Sequence, residues 1–237
     1  DEKEWLLNTS NTFLFSVREP IDRIISTYNY HREEYTKSNY TKYKRFYECF
    51  PSGLNDMVNM MRRNNDTERP CTVLGENVLK GKTAGGGEHF QLNYNYYHDY
   101  TIGNYPNYSV SVIRTERMWD DITKLEQALG GLGEFKNAGL KHTHGSEKYV
   151  VPYDAKLSAP NTKYLCCLIH DDIEIYQQLI LKSFNLDGLQ KHESLSNLMT
   201  RCLINETEVE GRDLLVESFS WKAYSQSSIC NSTKILQ

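Results

Sequence analysis

Residues 12–28 read TFLFSVREPIDRIISTY, and this stretch decides the fold. Its first six residues are a short apolar run of β-formers and predict a buried strand. Arg18-Glu19-Pro20 ends that run, and Pro20 suits the first turn of a helix. Ile21, Ile24, Ile25 and Tyr28 then recur at helical spacing. Strand, tight turn and helix together are the building block of an α/β fold. The turn sets Arg18 beside a helix N-terminus, where unpaired N–H groups favour an anion. A guanidinium there adds a two-pronged clamp for phosphate. Ser26 lies two turns into the helix, on the face of Glu19, Asp22 and Arg23, and offers a hydroxyl to the same anion.

Further along the chain the pattern keeps mixing helix and strand. Residues 29–66 are polar and Tyr-rich and predict a continuation of the helix followed by loops. Residues 83–87 (TAGGG) predict a turn, and residues 88–100 one helix. Residues 108–114 (YSVSVIR) alternate and predict a strand. A helix over 119–129 is closed by Gly130 and Gly131. Residues 138–160 read as loop. Residues 171–184 give the clearest helix, with Ile169, Ile173, Tyr176, Ile180 and Phe184 on one face and Asp171 and Asp172 at its positive end. The last 50 residues are acidic and carry no decisive pattern. A chain of 237 residues is long enough for one domain with a real core, expected over 12–185 with a C-terminal extension at 186–237.

Composition narrows the function classes. Lys and Arg total 27 against 31 Asp and Glu, a balance that argues against a dedicated nucleic-acid binder. The charge is uneven: residues 17–63 hold nine basic and six acidic side chains, residues 170–220 four and ten, so an anionic ligand is expected near the N-terminal half. The longest apolar run, residues 164–169, is far below the roughly 18 residues that cross a bilayer. Asn-x-Ser/Thr occurs at Asn8, Asn39, Asn65, Asn107, Asn205 and Asn231, acceptors that matter only in the secretory lumen. The six cysteines show no zinc spacing and predict disulfides. Adjacent Cys166 and Cys167 need separate partners, Cys49 with Cys71 would close a local loop, and Cys202 and Cys230 would tie down the C-terminal region.

The segment VREPIDRIISTY, from Val17 to Tyr28, closely resembles the 3′-phosphate-binding pattern V-R-[DE]-P-x-[DE]-R-x-x-S-x-Y of Golgi carbohydrate sulfotransferases. In element order the chain looks most like the heparan sulfate 2-O-sulfotransferase group over residues 12–185, and the specificity resides in those 12 residues. The resemblance implies an α/β three-layer sandwich with a mainly parallel sheet, related to P-loop kinases. It implies 3′-phosphoadenosine 5′-phosphosulfate (PAPS) as co-substrate with no metal, a glycan acceptor, and a Golgi-lumenal enzyme anchored as a type II membrane protein through a segment outside these residues, or secreted. Arg18 and Ser26 would hold the 3′-phosphate, and Arg23 would serve as a structural ion-pair partner. Glu116, in the strand-to-helix stretch 112–120, would have a structural role. Lys141, Ser146 and Lys148 fall where the family has a basic loop over the nucleotide. The family's P-K-[TV]-[GA]-[ST] loop for the 5′-phosphosulfate does not precede Arg18, and it is expected upstream together with the first strand, the first helix and the usual catalytic base. Gly81-Lys82-Thr83 ends like a P-loop, but Gly75 stands one position too early for that motif.

The acceptor side and the base are open. Six of the 17 tyrosines fall in residues 28–47 and six in 94–108. Their rings suit sugars, or they fill a half-buried surface. Tyr28 and Arg32 are the acceptor candidates, with Lys42, Lys44 and Arg45 nearby. His31 and His89 are candidate bases, His142 and His144 further ones by context. A non-catalytic lumenal glycoprotein that keeps the fold is the alternative reading, and a P-loop kinase a third that the sequons disfavour.

Overall fold

The computed structural model describes residues 12–38, 41–63, 69–100, 108–133, 156–203, 219–227 and 230. Strand β1 (Thr12–Val17) leads into helix α1 (Pro20–Ser38) as the opening stretch predicts. Glu19 starts the helix: its carbonyl accepts the Arg23 N–H at 2.8 Å, and its Oε2 accepts the Asp22 N–H at 3.0 Å. The side chain thereby satisfies one of the amides a helix start leaves over. Pro20, which has no N–H, occupies the first helical position.

Among the described residues five α-helices follow before the second strand: α2 (Lys44–Cys49), α3 (Leu54–Arg63), α4 (Arg69–Leu79), α5 (Glu88–Gln91) and α6 (Tyr94–Tyr100). Strand β2 (Ser109–Arg114) then pairs in parallel with β1, Thr12 opposite Ser109 through Val17 opposite Arg114. After β2 the described residues form α7 (Met118–Ala128), α8 (Ala159–Leu168), α9 (His170–Lys182), α10 (Gly188–Leu203) and α11 (Trp221–Ser225).

The α/β expectation holds at its coarser level: the strands are parallel and joined through helices. The mainly parallel three-layer sandwich is not what the described residues display; they hold two strands in a largely helical molecule. The far edge of β2 is closed by irregular chain. Phe184 donates its N–H to the Val110 carbonyl at 2.9 Å. The Asn185 side-chain amide bonds both the N–H and the carbonyl of Val112, at 2.9 and 2.8 Å, as a neighbouring strand's backbone would. Flanked on both edges, β2 buries Val110, Ser111 and Val112 in succession, so the expected alternation gives way to the pattern of an interior strand.

Three other expectations shift. Residues 88–100 form two helices, because the Asn93 side chain accepts the Tyr96 N–H at 2.9 Å and caps a second start. Phe184 lies beyond the end of α9 and is 44% exposed, whereas Ile169, Ile173, Tyr176 and Ile180 are buried. The apolar run 164–169 belongs largely to α8, which the sequence reading did not assign.

The core is continuous across the described residues. Ile21, Ile24, Ile25 and Tyr28 of α1 bury one face of that helix, with Val110, Val112, Ile173, Tyr176 and Ile180 in the same cluster. An aromatic group of Tyr28, Phe46, Tyr47, Phe50 and Phe90 fills the part lined by α2 to α5, with edge-to-face contacts at 5.0–6.2 Å. Gly86 passes close to that group, and a Cβ there would fall 2.7 Å from Val78 Cγ1. Disulfides Cys49–Cys71, Cys166–Cys202 and Cys167–Cys230 join α2 to α4, α8 to α10, and α8 to the chain after α11. Cys166 and Cys167 thus take separate partners. The described part of 186–237 shares the common core through Leu195, Leu198, Trp221 and Tyr224.

Candidate functional site

Val17 and Arg114 are the last paired residues of the two strands, so Arg18 and Thr115 emerge together at their carboxyl ends. That end of a parallel sheet is where ligands bind in open α/β folds. The Arg18 guanidinium is fixed from within: Nε donates to the Thr115 hydroxyl at 3.2 Å. Thr115 in turn donates to Glu116 Oε2 at 3.3 Å. The two outer nitrogens of Arg18 have no hydrogen-bond or ion-pair partner among the described residues, and the side chain is half-buried. A guanidinium held by its inner nitrogen with its fork open is suited to a phosphate or sulfate.

The backbone of Arg18 is held as firmly. The Tyr94 hydroxyl accepts the Arg18 N–H at 2.8 Å and donates to the Arg18 carbonyl at 2.5 Å. Tyr94 is set by Asp172, whose Oδ1 accepts the Tyr94 N–H at 2.6 Å. Asp172 Oδ2 pairs with Arg23 Nη2 at 2.8 Å, and Arg23 Nη1 donates to the His89 carbonyl at 3.2 Å. The Arg23 guanidinium also faces the Tyr94 ring, 5.4 Å from its centroid.

The sequence reading expected the α1 N-terminus itself to attract an anion. In the structure Glu19 occupies that terminus. Its Oε2 takes the Asp22 N–H and also Arg201 of α10 at 2.5 Å. Arg201 pairs with Asp22 as well, at 3.0 Å. Glu19 Oε1 is buried and has no partner among the described residues. Burial outweighs the Arg201 charge and pushes the Glu19 carboxyl up to about 7. The anion preference at this end therefore rests on Arg18. Ser26 lies about 9 Å along the α1 axis from Pro20. It is half-buried, and its hydroxyl has no partner among the described residues.

Other sequence candidates land elsewhere. Tyr28 is wholly buried and donates to the Phe50 carbonyl at 2.8 Å, so it supports the core and has no surface to offer an acceptor. Arg32 donates to the Pro51 carbonyl at 2.7 Å. His31 is 3% exposed, and both ring nitrogens are engaged: Nε2 accepts the His89 N–H at 3.4 Å and Nδ1 faces Glu34 at 2.8 Å. Burial holds the His31 imidazole below its usual value. Gly87, at φ +135, covers it so closely that a Cβ would fall 2.1 Å from His31 Cδ2. His31 is thus a packed, neutral member of the wall, without a nitrogen left for a substrate proton. His89 is exposed, its ring stacked on Tyr30 at 5.3 Å. Lys42 pairs with Glu88. Lys44 lies 3.7 Å from Glu48, and Arg45 is exposed. Lys141, Ser146, Lys148, His142 and His144, and the asparagines of all six sequons, lie outside the described residues.

Tyr94, Thr115 and Asp172 are the site residues that sequence reasoning missed. Tyr94 was one of many tyrosines, and Asp172 read, with Asp171, as an acid at the positive end of a helix. A pairing across 76 residues leaves no local periodicity. No family model, curated protein or solved structure matches the chain. Three disulfides fit an oxidising secretory or lumenal environment. Among the described residues no helix is long and apolar enough to cross a membrane, and no cluster of His, Cys, Asp and Glu is suited to a metal ion.

Proposed function

We propose that the chain is a lumenal, PAPS-dependent carbohydrate sulfotransferase domain of the Golgi in which Arg18 grips the 3′-phosphate of the nucleotide. The observation that carries this reading is the Arg18 guanidinium at the carboxyl ends of the paired strands, anchored at Nε with its outer nitrogens open. The match of Val17–Tyr28 to the 3′-phosphate pattern gives that geometry its ligand. Ser26 supplies a second donor from α1. In the reaction the sulfur leaves the phosphate oxygen of PAPS and bonds a glycan hydroxyl, whose proton passes to a base. Positive groups around the 5′-phosphate stabilise the charge on the departing 3′,5′-phosphoadenosine, while Arg18 holds its 3′-phosphate. His89, exposed and beside α1, is the base candidate of the two described ones, His31 and His89.

The test is sulfate transfer from radiolabelled PAPS to a panel of glycans by the full-length protein, with calorimetry of 3′,5′-phosphoadenosine. Arg18→Ala is expected to weaken nucleotide binding about tenfold to a hundredfold, the loss of a charge-assisted hydrogen bond. Unchanged affinity in Arg18→Ala rejects the assignment. Nucleotide binding without transfer to any glycan favours the non-catalytic reading.

A further inference from the structure

We propose that Tyr94 is a positioning residue for the nucleotide's 3′-phosphate, acting through Arg18; this inference rests on the reading of Arg18 given above. Beyond Val17 the β1–β2 ladder ends, and Arg18 would otherwise have one free backbone donor and one free acceptor next to a site that must hold its side chain still. The Tyr94 phenol takes both, at 2.8 and 2.5 Å, and so continues the ladder by one residue with a side chain. Thr115 then fixes the guanidinium at Nε. Backbone and side chain are each held once, and the two outer nitrogens are left aimed by that frame. A preorganised donor binds an anion better than a mobile one, because less rotamer freedom is lost on binding.

Tyr94 is itself buried and rigidly seated. It is 5% exposed, its N–H is bound by Asp172, its ring lies 5.7 Å from that of Tyr176, and the Arg23 guanidinium stands over the same ring, 5.4 Å from its centroid. The brace therefore runs from α9 through α6 to the turn after β1. It couples the anion site to the body of the protein without any part of Tyr94 touching the ligand.

The test pairs two nucleotides with four variants of the full-length protein. Tyr94→Phe keeps the ring and removes only the hydroxyl, and it is expected to weaken 3′,5′-phosphoadenosine about three- to tenfold. Adenosine 5′-phosphate, which lacks the 3′-phosphate, is expected to bind Tyr94→Phe as it binds the parent. Combining Tyr94→Phe with Arg18→Ala is expected to cost no more than Arg18→Ala alone, since the two act as one unit. Thr115→Val, which loosens the same guanidinium at its other anchor, should show the same preference for losing the 3′-phosphorylated ligand, and it carries the test if Tyr94→Phe does not fold. Equal losses for both nucleotides, or no loss for either, overturn the role of Tyr94 while leaving Arg18 in place. Unchanged binding in Arg18→Ala overturns the site and this inference together.

Discussion

Glu19 is the residue whose chemistry is most exposed to pH. Burial pushes its folded carboxyl up to about 7, above the 4.5 of an unfolded chain. Between those values the folded state binds more proton than the unfolded one, so this group's stabilisation is complete below pH 4.5 and is lost as pH rises through about 7. The size is up to about 3 kcal/mol, from the cost of one shifted titration unit. Melting temperatures of the parent protein are expected to fall between pH 5 and 8, with a flatter profile in Glu19→Gln. Parallel profiles would show that Arg201 keeps Glu19 ionised throughout. Gly87 is a position where a side chain meets both backbone strain and a neighbouring ring. Its φ of +135 and the His31 ring against it leave no room for a Cβ. Gly87→Ala is expected to destabilise by roughly 1–3 kcal/mol through backbone strain, more with the clash. Denaturant unfolding measures this, and an unchanged midpoint would mean that His31 moves aside freely.

At the scale of elements, the join of β2 to α7 and α10 depends on one buried ion pair. Arg114 Nε and Nη2 donate to Asp121 at 2.8 and 2.6 Å, the Arg114 N–H donates to the same carboxylate at 2.8 Å, and Nη1 reaches Ser194 of α10 at 3.0 Å. Both side chains are nearly inaccessible, 3% and 0% exposed. Removing one partner strands a charge without solvent, so Asp121→Ala is expected to cost about 3–5 kcal/mol. Chemical denaturation reads that cost. A loss below about 1 kcal/mol would mean that water reaches Arg114. The pair also bears on function, because it fixes the end of β2 from which Thr115 approaches Arg18. Element by element, the opening strand and helix were legible because their apolar residues follow the two simple periods. The break at Asn93 was not, since a capping amide looks in sequence like any polar residue of a continuous helix.

For the whole molecule, the cross-links and the shared core hold the C-terminal residues to the body. Cys167–Cys230 spans 63 residues and Cys166–Cys202 spans 36, both from α8. Replacing Cys166 and Cys202 together by Ser is expected to cost about 2–5 kcal/mol, the usual toll of losing a native disulfide from a secreted domain. Thermal unfolding of that variant against the parent checks it. Peptide mapping without reductant checks the pairing itself, and a Cys202–Cys230 peptide would contradict it.

The sequence by itself determined the strand-turn-helix around Arg18, the strand later in the chain, the separate partners of Cys166 and Cys167, and a disulfide-bonded chain that fits an oxidising compartment. These are local or compositional properties, carried by spacing, turn residues and counts. Only the tertiary structure decided that the Glu19 carboxyl occupies its own helix terminus, that Tyr28 and His31 are walled in, and that Tyr94 and Thr115 frame Arg18. Those outcomes come from groups 22 to 182 residues apart meeting in a medium with little water. There each donor must find an acceptor wherever the fold brings one, and no period in the sequence records which one it will be.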